Sequence, residues 1–168
     1  MKILWAPWRM KYVEYAAFNK PEGCFICDAV KSEDPDEKFV LHRDEKTVII
    51  MNIYPYNTGH ILIAPVRHVA NLEDLSLDEI KSMGVILQKS ILLLKKVLKP
   101  DGFNVGLNLG RVAGAGLEDH LHFHVVPRWN GDTNFMPIIA NTKVIPEAIR
   151  ETFLKLKKGE EGIFNVEP

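Results

Sequence analysis

The stretch "HLHFHVVPRW", residues 120–129, sets His120, His122 and His124 at every second position, with Leu121, Phe123 and Val125 between them. Side chains alternate across a β-strand with period two, so a strand over 120–127 is predicted to project the three imidazoles from one face and the apolar residues from the other. The apolar face reads as ordinary core. The histidine face does not, because packing three like rings together gains little and risks mutual charge repulsion. Neutral imidazole is a nucleophile, a base and a metal ligand near neutral pH. The readings for that face are therefore a metal site, a nucleophile with supporting donors, or both.

Upstream of the histidines, "FNVGLNLG" (103–110) reads as a further strand, and the glycine-bearing loop "GRVAGAG" leads from it to the triad. That loop matches neither a Walker A P-loop nor G-x-G-x-x-G. "TVIIMNIY" (47–54) and "HILIAPV" (60–66) flank the turn "PYNTG" and are predicted to form an antiparallel hairpin. Between hairpin and triad lies a helix announced by Ser76 and Glu79, a capping-box pair. Leu77, Ile80, Gly84, Leu87, Ile91, Leu94 and Leu98 then recur at spacings of three and four. Ile86, Leu93 and Val97 widen the apolar face beyond what one sheet surface needs, which leaves a thick core helix and a helix that meets a second subunit both open. Pro146 is predicted to begin a last helix, "PEAIRETFLKLKK". Strands around one long crossover helix predict an α+β fold with a mostly antiparallel sheet.

The chain has 168 residues and is 46% hydrophobic, which fits one domain spanning 1–168. Within it, residues 1–23 form an N-terminal arm rich in aromatics (Trp5, Trp8, Tyr12, Tyr15, Phe18), "KSEDPDEKF" (31–39) is a polar loop, and 159–168 is a peripheral tail. A net charge of −1 provides no broad basic field for a nucleic-acid backbone. No apolar run is long enough for a membrane span, and "MKILWAPWRMKY" is too charged for a secretory signal, so a cytoplasmic protein is expected. The two cysteines, Cys24 and Cys27, form one CxxC. It lacks the strand-to-helix setting of a thioredoxin-like pair, and two thiolates leave a zinc ion short of four ligands, so histidines would have to supply the rest.

"HLHFHVV" matches the H-φ-H-φ-H-φ-φ signature of the histidine triad (HIT) superfamily, φ being apolar. "MNIYPYNTGHILIAPVRHV" resembles the upstream hairpin of that family, with its Gly-His pair at Gly59 and His60, and "LNLGRVAGAG" resembles its phosphate-side segment. The resemblance covers roughly residues 24–130. It implies the HIT fold, a five-stranded, mostly antiparallel sheet with a long helix and a C-terminal helix, in a homodimer. It also implies that His122 attacks the α-phosphorus of a nucleotide while a backbone carbonyl sets its tautomer. His124 would hydrogen-bond the phosphate, and His60 would buttress His120. Asn52 would contact the ribose, Ile50 the base, and Asn108 with the backbone of Gly116 and Leu117 the phosphates. Leu117 stands where many relatives carry Ser, Thr or Gln. Arg111 and Arg128 are further cations within reach of a polyphosphate.

Several bacterial HIT proteins bind structural zinc through a CxxC, a histidine after the second hairpin strand and the first triad histidine. Cys24, Cys27, His68 and His120 are the counterparts, and two sulfurs with two nitrogens suit tetrahedral Zn²⁺. "LWAPWRMKY" and Trp129 resemble the bacterial diadenosine tetraphosphate phosphorylase (adenylyltransferase) branch, which makes cleavage of dinucleoside polyphosphates the expected reaction. Trp5, Trp8 and Trp129 are open between core or subunit contact and stacking on a second adenine. A phosphoramidase acting on adenosine monophosphate joined to an amine, and a nucleotide-binding protein with incidental turnover, are the alternatives.

Overall fold

The computed structural model describes residues 23–133 and 144–164; Trp5 and Trp8 of the arm and the end of the tail lie outside them. The described elements are α1 (Phe25–Lys31), β1 (Val40–Arg43), β2 (Thr47–Met51), β3 (Ile61–Pro65), α2 (Leu77–Leu98), β4 (Gly102–Leu107), β5 (Phe123–Arg128) and α3 (Ile149–Gly159). They build a five-stranded sheet in the order β1-β2-β3-β5-β4, antiparallel at every step. This is the five-stranded antiparallel α+β arrangement, with a long helix and a C-terminal helix, that the sequence resemblance implies. Among the described residues, no helix is long and apolar enough to cross a membrane.

The hairpin strands β2 and β3 are buried along their whole length, which explains why they read as continuous apolar runs and not as alternation. One face of the sheet, carrying Leu41, Ile49, Met51, Ile61, Ile63 and Val125, packs on α2 and α3 through Ile86, Leu93, Leu94, Phe153 and Leu156. The opposite face, carrying Val40, Val48, Ile50 and Ala64, is covered by Ile26 and Ala29 of α1. Gly59 holds φ +73 in the turn before β3, and a Cβ there would lie 2.3 Å from Leu98 Cδ1. Only glycine lets the turn pass this close beneath the end of α2.

Several boundaries differ from the expectation. β1 has no signal in the sequence: it is four residues long, follows the polar loop, and joins β2 through a register shift between Val40 and His42. Helix α3 starts at Ile149, with Pro146 before its Ala148 cap. β5 begins at Phe123, not at His120, because its partners run out: the ladder to β3 stops at Ile63↔Phe123 and that to β4 at Leu107↔Phe123. The chain before it is held differently. Leu121 N–H donates to Val69 O at 2.7 Å, and the Leu121 side chain is buried with Val69, Leu75 and Met83.

The capping box on α2 is present in both directions between Ser76 and Glu79. The core side of α2, however, is Met83, Ile86, Ser90, Leu93 and Leu94. Most of the stripe picked out by spacing lies beside that face: Leu77 is 85% and Ile80 45% exposed, Gly84 is exposed and Ile91 is half-buried, while Leu87, Leu94 and Leu98 reach the core. Helical period alone selects a spacing, and two neighbouring apolar stripes satisfy it equally.

Candidate active site and metal group

Because β5 starts late, the three triad imidazoles do not share one face. His122 and His124 meet edge to face with ring centroids 4.9 Å apart, whereas His120 turns to meet His68, centroids 5.0 Å apart. Only His124 lies in the strand itself; His122, just ahead of it, stays on the side of His124, while His120 does not.

His122 is buried, and its Nδ1 lies 2.8 Å from the His120 carbonyl oxygen. A carbonyl only accepts, so Nδ1 carries the proton and Nε2 keeps its lone pair. Burial pushes the His122 pKa below its ordinary value, with the same carbonyl bond pulling the other way. The ring is therefore neutral at neutral pH, with one nitrogen ready to attack.

His60, at the mouth of β3, receives Tyr56 N–H at Nδ1 (3.1 Å) and lies with Asn52 Nδ2 3.3 Å from the same nitrogen. The backbone donor leaves the imidazole proton on Nε2, which donates to His124 Nδ1 at 3.0 Å. His60 therefore supports His124 and not His120, a correction to the sequence expectation: Leu62, two residues after His60, pairs with His124, while His120 lies beyond the end of the ladder. Burial, and then the neighbouring His124 and His122, push His60 down to about 3, so the His60 ring stays neutral. With its Nδ1 accepting, His124 presents Nε2–H outward, 3.4 Å from Asn108 Nδ2. Asn108 Nδ2 also donates to Gly114 O at 3.3 Å, which fixes the end of the amide that faces inward. Two donors converge there, an arrangement suited to a phosphate oxygen.

Asn52 is tied into the hairpin turn, its Oδ1 accepting Tyr54 N–H at 2.8 Å, so only part of its amide is left for a sugar. Ile50 is buried in the α1-covered cluster, and Leu117 packs against the same cluster from the loop beside exposed Gly116. Arg128 is held by Asp132 and Asn104, and Arg111 sits exposed on the short turn Arg111–Ala113. The sequence reading missed Tyr56, whose ring lies over His60 (4.7 Å) and His124 (5.8 Å). The aromatic "YPY" of the turn was its only trace.

Cys24, Cys27, His68 and His120 come together with one ligand atom each, all within 4.8 Å of one another. Cys24 Sγ is 3.2 Å and Cys27 Sγ 3.6 Å from His120 Nδ1, and Cys27 Sγ is 3.3 Å from His68 Nδ1. With Zn–S near 2.3 Å and Zn–N near 2.0–2.1 Å, the sulfur-to-nitrogen edge of a tetrahedron is about 3.6 Å, so the group fits a metal ion with little adjustment. His120 Nε2–H donates to Pro65 O at 2.8 Å, which turns the Nδ1 lone pair toward the sulfurs, the outer-shell contact that ligating histidines generally make. Burial, and then Cys24, push the Cys27 thiol up to about 11. A Cys27 thiolate near neutral pH therefore needs a cation beside it.

The HIT domain model matches residues 33–131. The AP-4-A phosphorylase of Mycobacterium tuberculosis is 42% identical over 157 residues, covering 90% of this chain and 80% of that protein. An adenosine 5'-monophosphoramidase of Candida albicans is 34% identical over 114 residues, 63% of this chain and 70% of that one. Among solved structures, a Zn-bound histidine triad family protein from Mycobacterium smegmatis aligns with a TM-score of 0.66 and 27% identity, over 82% of this chain and 93% of its own.

Proposed function

The chain belongs to the HIT domain family, and on that premise we propose that it cleaves dinucleoside polyphosphates, diadenosine tetraphosphate foremost, through a nucleotidyl intermediate on His122. The observation that carries this reading is the His122 Nδ1–H bond to the His120 carbonyl, which leaves Nε2 as the nucleophile. The extent of likeness to the AP-4-A phosphorylase supports the substrate class.

In this mechanism His122 Nε2 forms a bond to the α-phosphorus of one adenylyl unit, and the bridging P–O bond breaks to release ATP. His124 Nε2–H and Asn108 Nδ2–H donate to the phosphate oxygens as charge builds on them. Inorganic phosphate then attacks the adenylyl-histidine to give ADP, or water attacks to give AMP, and His122 is restored. Zinc, held by Cys24, Cys27, His68 and His120, would supply structural cross-linking. The ring of His120 serves that group while its carbonyl orients His122.

Product analysis tests the reading. ADP plus ATP formed from diadenosine tetraphosphate only when phosphate is present is the expected result. AMP plus ATP without phosphate would make the protein a hydrolase. No cleavage, together with turnover of an adenosine monophosphate amine, would move it to the phosphoramidase class that the Candida albicans relative represents.

The same reading includes a homodimer. Leu77, Ile80, Gly84 and Ile91 lie outside the core face of α2, and among the described residues β4 pairs on one side only, with Val105 42% exposed. An apolar helix face beside an open strand edge is what a second copy would cover. Sedimentation is expected to give twice the chain mass, falling to one chain in Ile80→Glu; a wild-type monomer at micromolar concentration would overturn it.

A further inference from the structure

Outside the reacting groups, a buried polar node joins three parts of the sheet. The Asp132 side chain is only 8% exposed. It takes a bidentate bond from Arg128 (Nε to Oδ2 2.6 Å, Nη2 to Oδ1 2.9 Å) and Trp129 N–H to Oδ2 at 3.1 Å. Its Oδ2 also accepts from Asn57 Nδ2 at 2.8 Å. Arg128 reaches on to Asn104 Oδ1 of β4 at 2.7 Å. Asn57 is itself buried, and its second amide hydrogen goes to Pro127 O at 3.1 Å. Both partners are acceptors, so the orientation of this amide is determined. Its backbone oxygen accepts His60 N–H at 3.2 Å.

The β2–β3 turn is thereby pinned to the end of β5 at the residue next to Tyr56. Tyr56 N–H selects the tautomer of His60, and His60 Nε2–H selects that of His124. We infer that Asn57 and Asp132 are positioning residues: the clamp they form holds Tyr56 N–H on His60 Nδ1, and so keeps the His124 proton on Nε2, where it faces the substrate phosphate. The inference rests on the nucleotidyl-transfer reading above only for the meaning of that last proton. Polar side chains buried this deeply stand in the fold only while paired, which makes the clamp an all-or-none support. Without it the turn is free to shift, Nδ1 of His60 loses its backbone donor, and both rings can exchange tautomers. A wrong tautomer disables a histidine without moving it.

The test compares wild type with Asn57→Ala, which removes the clamp, and Asp132→Asn, which keeps its shape but replaces one acceptor oxygen with a donor. Ring nitrogen–proton correlation spectra are expected to find His60 and His124 protonated at Nε2 in the wild type and mixed in both variants. In parallel, kcat on diadenosine tetraphosphate is expected to fall ~10–100-fold, with KM within about twofold. If Asn57→Ala does not fold, Asp132→Asn carries the comparison. Folded variants with wild-type tautomers and kcat would overturn the inference, as would a rise in KM at constant kcat, which would make the clamp a binding device. A wild type that shows the tautomer pattern, loses it in the variants and yet does not cleave the substrate would uphold the positioning and sink the proposed reaction.

Discussion

Replacing His122 with alanine is expected to lower kcat on diadenosine tetraphosphate by ~10⁴–10⁶-fold, the scale on which enzymes lose activity when a covalent nucleophile is removed. The site offers no substitute at that position. His120 is turned away with its Nδ1 toward two sulfurs, and His60 is buried with both ring nitrogens engaged. His124 has its Nδ1 accepting from His60 and its Nε2–H facing Asn108, so it is arranged as a donor. His124→Ala is accordingly expected to cost less, ~10²–10³-fold, as removal of one preorganised donor does. Nucleotide affinity should survive in His122→Ala, because its apolar and amide contacts lie elsewhere. Single-turnover measurement with radiolabelled substrate decides the matter: labelled protein in wild type and none in the variant is the expected outcome. Retained label and turnover in His122→Ala would remove the nucleophile from its place.

The second large effect is predicted for the metal group. Protein prepared without an affinity tag is expected to carry one zinc per chain, and Cys24→Ala to carry none. The variant should melt lower by roughly 10 °C or more, since loss of a metal costs several kcal/mol and each corresponds to ~2–4 °C in a chain of this size. The physical reason lies in what the group connects. Cys24 caps α1 and accepts Cys27 N–H, so it is both the start of that helix and one corner of the site. Ile26 and Ala29 of α1 cover one face of the sheet. His68 and His120 belong to the segments that follow β3 and precede β5. Freed from the metal, α1 would keep its apolar contacts and the Arg43 bond to Val30 O but lose its tie to the segments before β5 and after β3, and the His120 carbonyl that orients His122 would lose its anchor. A roughly tenfold loss of kcat should therefore accompany the fall in melting temperature, as for other outer-shell supports. Metal-free wild-type protein with unchanged melting would refute the assignment.

Much of this protein was readable before any coordinates. The hairpin strands and the long helix with its Ser76–Glu79 capping box are local matters. Backbone period, cap chemistry and turn residues a few positions apart suffice to specify them. The family signature then added an expectation of which histidine attacks. Strand β1 escaped notice because four residues with a register shift carry too little periodicity to register. Which part of the wide apolar face of α2 meets the core is not legible in the sequence either: two apolar stripes share one spacing, and only the sheet beneath selects between them.

What the tertiary structure decided was which imidazole meets which partner. His120, His122 and His124 look equivalent in the sequence, yet β5 begins only at Phe123, where its ladders to β3 and β4 end. That single boundary sends His120 to the cysteines and leaves His122 on its carbonyl and His124 on His60. The clamp at Asn57 and Asp132 likewise joins residues 75 positions apart. Residue type and local period dictate the chemistry available, because they act over a few bonds. Strand register and the ends of ladders dictate ring orientation and tautomer, because those depend on hydrogen bonds that form only when distant segments pair.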